Sequence, residues 1–310
     1  MIDRQISTNK GFALIVVLWV LTLLAIMASS FALTIQRETA IISGVKEKAE
    51  ASALAEAGIN YAILMLFSSD EDLQWQAFNS LYEVNYTGKR VRIQISDESG
   101  LIDINGADKE QLQALFDSIN IGEADSDSLS DAMLDWRDAN DEQLLNGAEK
   151  DQYADAGLKY EPRNKPFASV EELQMVLGMN PDIYQQLQGM ISIYSHASKV
   201  NPATASRAVL LTLPDVDEEM VDQYLQQRIE NERNGEDITA PEWYRGSARG
   251  SGVYQIVAEV MIDKGVTQQT MAVIKKAQSG HGLPFQTLKW VKDYQQASLF
   301  LPENDMWIIN

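Results

Sequence analysis

Hydrophobic and polar positions fall into three regimes along the chain. From Phe12 to Ile35 no residue is charged and most are large and apolar, an unbroken run of 24 residues. As a helix that run would be roughly 36 Å long at about 1.5 Å per residue, enough for a bilayer core of about 30 Å. It passes without proline or glycine into "IQRETAIISGVKEKAEASALAEAGINYAILMLF", where Ile41, Val45, Leu54, Ile59, Ile63 and Leu66 recur near helical spacing and Ala fills much of the rest. The pattern predicts one long helix whose first half suits lipid and whose second half suits the flank of a globular domain.

The second regime is alternation. "LYEVNY", "RVRIQIS" and "LIDIN", separated by the turns "TGK" and "DESG", predict a meander of short antiparallel strands with Val91, Ile93 and Ile95 on one face. Strand character then stops for about 140 residues and returns in "GVYQIVAEVMI" and "TQQTMAVIKKA", joined by the turn "DKG". The interval is helical and weakly repetitive. "INGADKEQLQALFDSINIG", "FASVEELQMVLGMNPDIYQQL" and "VNPATASRAVLLTLPDVDEEMVDQYLQQR" each run as a polar cap, a short helix with paired leucines, a tight turn and a second helix. The predicted fold class is therefore α+β: a long N-terminal helix with an antiparallel sheet at 37–104 and 246–310, interrupted by an α-helical insertion at 105–245.

Charge narrows the partners. The protein has 310 residues, with 25 Lys and Arg against 45 Asp and Glu, a net charge of −20. Residues 1–36 contribute +1, from Arg4 and Lys10 against Asp3, so residues 37–310 carry −21. A body so acidic is repelled by phosphate backbones and anionic lipid surfaces, which argues against nucleic acid. With no cysteine there is no disulfide, thiolate metal site or Cys nucleophile, and the compartment stays open. Arg4 and Lys10 on the short leading side place the N-terminus in the cytoplasm and everything after Glu38 outside. A conventional signal cleaved near "MASSFA" is the plainer alternative, but the apolar run is longer than a typical signal core.

The chemistry concentrates in "DWRDANDEQLLNGAEKDQY". Counting Asp138 as position 1, Asn140 stands at 3, Glu142 at 5, Leu144 at 7, Asn146 at 9 and Glu149 at 12, the oxygen-ligand spacing of an EF-hand loop. The sixth position is Gln143 where that loop needs Gly. Either the ligands follow another path, or the stretch is a solvated acidic loop that caps helices. Trp136, Trp243 and Trp290 read as packing residues. His196 and His281 are isolated, with no metal-pair spacing or Ser-nucleophile signature, and nothing suggests an enzyme. "RNGEDITAPEWYRGSARGSG" reads as a flexible return to the sheet. Leu299-Phe300-Leu301 and Trp307-Ile308-Ile309 pack locally or offer apolar contact to a partner.

"KGF" at 10–12, ahead of the long helix, resembles the type IV prepilin signature, a short basic leader ending in Gly. The resemblance implies a leader at 1–11, cleavage between Gly11 and Phe12 by a prepilin peptidase, N-methylation of Phe12, and a transmembrane and later filament helix at 12–36. Pilins carry Glu at the fifth mature position, where its carboxylate neutralises a neighbour's amine in an apolar filament core. Here that residue is Val16, which suits a tip position with no subunit ahead.

Leader, missing Glu and helical insertion together are similar to the minor pseudopilin GspK family of type II secretion, type IV pilin-like proteins. That resemblance covers nearly the whole chain. It implies a pilin-like domain split by a large α-domain, and structural calcium in the acidic loop, where Asp135, Asp138, Asp141, Glu142, Glu149 and Asp151, running here as "DW.D..DE....GAE.D", are similar to the family's acidic pattern. It further implies a non-enzymatic tip subunit that initiates the pseudopilus and aids export of folded proteins across the outer membrane. The implied partners are the I-, J- and H-type minor pseudopilins, the major pseudopilin, the prepilin peptidase and the inner-membrane assembly platform. The implied location is the bacterial inner membrane, single-pass with a periplasmic body, and the pseudopilus once mature. The three repeats look like helix-hairpin-helix motifs, but Pro214-Asp215-Val216-Asp217 sets two carboxylates where a DNA phosphate would approach, so they read as scaffold. A membrane-anchored periplasmic binding protein or enzyme, and a minor pilin of a type IV pilus or DNA-uptake system, are the competing readings.

Overall fold

The computed structural model describes residues 10–86, 88–246, 249–262, 267–277 and 284–309. The leader before Lys10, the turn at Asp263–Gly265 and His281 lie outside the described residues, as do the exposure of Gly11 and the side chain of Trp307.

Helix α1 (Lys10–Leu66) is continuous over 57 residues, about 85 Å at 1.5 Å per residue. Only its last turns are docked. Ala51, Ala55, Ile59, Ala62, Ile63 and Leu66 are buried and follow one helical face. Ile41 and Val45, expected on that face, are 66% and 65% exposed. The helix has left the globular part before it reaches them, so the packed stripe begins at Ala51.

The stripe lies on a sheet of β1 (Phe78–Tyr86) and β2 (Lys89–Asp97), with β5 (Val253–Met261), β6 (Thr267–Lys276), β7 (Phe285–Lys292) and β8 (Ile308–Ile309) from the end of the sequence. The strand order is β7-β6-β5-β2-β1-β8. Pairs are antiparallel except β8, which lies parallel to β1. Val91, Ile93 and Ile95 face α1 as their alternation predicts, joined by Ile256, Ala258, Val260, Ala272 and Ile274. A Cβ on Gly58 would sit 2.9 Å from Val91 Cγ1, so the helix lies close on the sheet here. β7 is not predicted from sequence because its burial pattern does not alternate: an edge strand with Lys289 and Lys292 on it lacks the signal.

The opposite face buries Leu81, Val253, Val257, Met271, Val273 and Leu299. Polar anchors hold the C-terminal segment across it. Buried Arg92 pairs with Glu83 at 2.8 Å and Asp305 at 2.5 Å, donates to Leu299 O, and lies 4.6 Å from the Phe300 ring centre. Buried Glu259 accepts from Ser298 Oγ and from the Leu299 N–H.

Between β2 and β5 the sequence builds the helical part: β3 (Ile102–Asp103), α2 (Lys109–Ser118), α3 (Glu123–Arg137), α4 (Lys150–Asp155), α5 (Pro181–Leu187), β4 (Ile191–Ser192), α6 (Arg207–Leu210) and α7 (Glu218–Asn234). Its core gathers Ile102, Ile104, Leu112, Phe116, Met133 and Trp136 with residues up to Tyr224. "LIDIN" is therefore not a third strand of the meander. β5 takes the free edge of β2, and β3 pairs parallel with β4 inside the helical part. Each repeat turns on a left-handed residue, Asn120, Gly178 or Asp215. In the second repeat the first helix is only a 3-10 turn, Val170–Met175. The described residues of the returning segment after α7 lack regular structure but are not loose: Trp243 packs edge-on against Tyr224, and the Tyr244 hydroxyl donates to Val200 O.

The two parts meet just after β2. Gly100 lies so close to Thr204 that a Cβ would fall 2.5 Å from its carbonyl oxygen, and Asn201 N donates to Ser99 O at 2.7 Å. Buried Glu98 accepts from Ser192 Oγ. Burial pushes its carboxyl up to about 7, with Asp97 and Asp103 adding to the rise and Ser192 and Lys289 opposing it. Between the ordinary value of 4.5 and about 7 the folded protein holds a proton that the unfolded one has released, so stability must fall as pH rises through that window and level off above it. The contribution is on the order of 3 kcal/mol at 1.36 kcal/mol per pH unit. Melting curves from pH 4.5 to 8 should show a smaller decline in Glu98→Gln than in the parent; an unchanged decline would place the titration elsewhere.

Candidate metal centre

The acidic stretch folds as a loop between two helices. α3 ends at Arg137, α4 begins at Lys150, and Asp138 and Glu149 cap the facing ends. Two carboxylates of α3 organise it from below. Asp135, fully buried, accepts from Leu144 N at 3.2 Å through both oxygens. Asp131, one turn earlier and buried, accepts from Asn146 N at 3.2 Å and pairs with Lys109 at 2.6 Å. Gly147 must be glycine to pass over them, since a Cβ there would sit 2.0 Å from Asp135 Oδ2.

This path is not that of an EF-hand. Gln143, in the position where an EF-hand turns on Gly, donates to Gly147 O at 2.8 Å and accepts from Gln152 Nε2 at 2.8 Å, closing the loop on itself. Asn146 turns its amide to Asp131, and Asn140 Oδ1 accepts from Glu142 N. The positions counted 3 and 9 are thus committed to the protein. Asp138 accepts from Asn140 N, and exposed Asp141 accepts from Asn164 Nδ2 at 2.6 Å. Glu142 and Asp151 are exposed. Leu145, at the apex, is 91% exposed.

Electrostatics group four of the six expected residues. Burial pushes Glu149 up to about 7, with Asp135, Asp138 and Asp141 adding to it in that order. Burial likewise raises Asp135 to about 6, against the N–H groups of Leu144 and Ala148, and Asp138 raises it further. Glu149 Oε1 is buried without a hydrogen-bond partner. A hard divalent cation would relieve both the mutual repulsion and the orphaned oxygen. Among the described residues, however, no three acidic or histidine side chains are already set at ion-holding geometry. The donor chemistry fits calcium, while the side chains need rearrangement to converge. Asp131, Gly147 and Lys109 are the site residues that sequence reasoning missed. Asp131 and Asp135 stand at i, i+4, one face of a helix, a like-charge pair that was the available signal.

The processing residues sit at the other end. Phe12 and Val16 are exposed on α1, within a stretch that is long and apolar enough to cross a membrane and has none of its residues buried.

Residues 90–196 match the family model for protein K of the type II secretion system (T2SS). A Pseudomonas aeruginosa protein named type II secretion system protein K is 26% identical over 193 residues, which is 56% of this chain and 58% of that protein. Its Dickeya chrysanthemi namesake is 29% identical over 109 residues, 33% of this chain and 30% of that protein. The matched segments thus span about a third to somewhat over half of those relatives. In fold, the protein is similar to one in the crystal structure of the GspK-GspI-GspJ complex from the enterotoxigenic Escherichia coli type 2 secretion system. The TM-score is 0.52 at 12% identity, covering 84% of this chain and 99% of that one.

Gly147→Ala tests the loop's dependence on the buried carboxylate. The added methyl cannot coexist with Asp135 Oδ2, so overpacking should cost about 1–3 kcal/mol and amide exchange over 143–149 should quicken. Unchanged melting and exchange would mean that the loop does not rest on Asp135.

Proposed function

The chain belongs to the type II secretion system protein K family, and on that premise we propose that it is the minor pseudopilin at the tip of the pseudopilus, where it initiates assembly and aids export of folded proteins. The observation that carries this reading is the division of α1. Residues 51–66 are clamped to the sheet, while residues 12–46 stand exposed and largely apolar. An exposed apolar rod is stable in lipid or packed among like helices, and a pilus subunit occupies both in turn. With Val16 where pilins carry Glu, the rod has no carboxylate to offer a subunit ahead. The helical part, attached at the far end from the membrane segment, adds width where no subunit needs to stack. I- and J-type minor pseudopilins are the proposed neighbours, assembled from the inner membrane after leader removal by the prepilin peptidase.

In cells carrying the secretion system, mass spectrometry of the extracted protein should find methylated Phe12 at the N-terminus, and the protein should co-purify with its I- and J-type partners. A bulky residue at Gly11 should block processing, and Val16→Glu should impair secretion because its carboxylate would be unpaired in the helix bundle. An intact Met1, or a start near Ala32, would remove the prepilin assignment.

We further propose that the loop binds calcium as a structural ion through Asp135, Asp138, Asp141 and Glu149, with Glu142 and Asp151 at its margin. An ion bound only by the folded state stabilises it by about 2.7 kcal/mol at 100 times the dissociation constant. The melting temperature of the full-length protein should rise with calcium over chelator, and magnesium should substitute poorly because it demands tighter octahedral geometry. Asp138→Ala with Glu149→Ala should abolish the response. Equal melting with calcium and with chelator would withdraw the site.

A further inference from the structure

Beyond the assembly role, one buried cation in the helical part forms no ion pair among the described residues. Arg228 on α7 is only 6% exposed. Its Nη1 donates to Ala205 O at 2.7 Å and to Pro202 O at 3.2 Å. A guanidinium carries five N–H hydrogens, and the others find no protein acceptor among the described residues. The carboxylate whose charge reaches it is Glu232, one turn further on, and Glu232 accepts from Ser80 across the joint instead. Removing a cation from water costs several kcal/mol unless a counter-charge meets it. Burial accordingly lowers the affinity of Arg228 for its proton.

Arg228 also lines a cleft between α7 and the returning segment. Gln227 and Asn231 bring amide groups to the same wall, and Tyr224 and Trp243 bring rings, packed edge-on with centres 5.9 Å apart. Glu242 lines the cleft as well, and no ion pair joins it to the guanidinium among the described residues. A guanidinium edge matches the two oxygens of a carboxylate, and the adjacent rings suit an apolar neighbour on the same ligand. A phosphate dianion fits less well, because a protein of net charge −20 opposes each added negative charge and the cleft holds a carboxylate of its own.

We propose that this cleft binds a carboxylate group of a peptide, with Arg228 as its ion partner, the amides of Gln227 and Asn231 beside it, and the Tyr224–Trp243 pair receiving the adjoining apolar side chain. The carboxylate is either the peptide's own C-terminus or an Asp or Glu side chain.

The test uses the full-length protein in detergent and three probes: a short apolar peptide with a free C-terminal acid, its C-terminal amide, and an amidated peptide bearing a Glu side chain. At least one acid should raise the melting temperature saturably, and whichever does so names the source; the fully neutral amide should not. Arg228→Met should lose the response, but it also frees the carbonyls of Pro202 and Ala205 and can unfold the protein. Asn231→Asp leaves those carbonyls satisfied, gives up only the 3.5 Å contact from Asn231 Nδ2 to Asp237 O, and places a carboxylate on the same helix wall; it should raise the melting temperature without ligand and abolish the response. Glu242→Gln should keep the parent melting temperature and strengthen the response. The proposal is overturned if acid and amide act alike, if neither acid acts, if Asn231→Asp destabilises, or if Glu242→Gln lowers the melting temperature and so reveals Glu242 as the resident anion.

Discussion

Close approach between α1 and the sheet sets the geometry of the rest. Ala51, Ala55, Gly58 and Ala62 present almost no side chain to β2, β5 and β6, so the helix axis comes down onto the strands and the branched residues Ile59 and Ile63 fill the flanks. A larger stripe would hold the helix away and open space in the core beneath it. Since the same helix runs on through residues 12–35 with no proline, the tilt fixed by that contact is carried along the whole rod. Exposed pairs such as Lys48–Asp293 and Lys292–Glu56 line the contact, but exposed pairs are worth little and the small-residue packing decides the pose.

Acidity in this protein is more than a solvated surface. Asp97 receives the N–H groups of Ser99 and Ser251, Asp103 those of Asn105, Gly106 and His196, Asp131 and Asp135 those of the loop above them, and Glu259 that of Leu299. Each buried carboxylate fixes an irregular segment that has no ladder of its own to satisfy it. Asp135 still holds its proton more tightly than usual despite its donors, and Glu98 and Glu149 go further. Both are buried with too few donors, and both therefore hold their protons more tightly than an ordinary carboxyl.

What could be read from the sequence follows from how local the governing physics is. The apolar run, the long helix and the alternation of Val91, Ile93 and Ile95 are properties of neighbouring residues, and each is in the structure. The fate of "LIDIN" depended on Ile191 and Ser192, far along the sequence, and no local pattern announces a pairing of that range. Ile41 and Val45 have helical spacing, but spacing cannot say where a helix leaves the body that covers it. In the candidate metal centre, Asp135, Asp138, Asp141 and Glu149 were visible as an acidic motif, whereas the dependence on Asp131 and Gly147 came from a loop folding back over the preceding helix. β7 was missed because an edge strand half open to water carries no alternation.

The points where the helical part leaves and rejoins the sheet are direct neighbours: Asp97 on β2 stands in register with Tyr254 on β5. The whole helical part therefore occupies the place of a hairpin turn between two adjacent strands. Nothing in the strand order or register records its size. A lineage could enlarge, shrink or replace this module while the long helix and the sheet stay as they are, and selection could tune what the far end meets without disturbing the packing of helix on sheet.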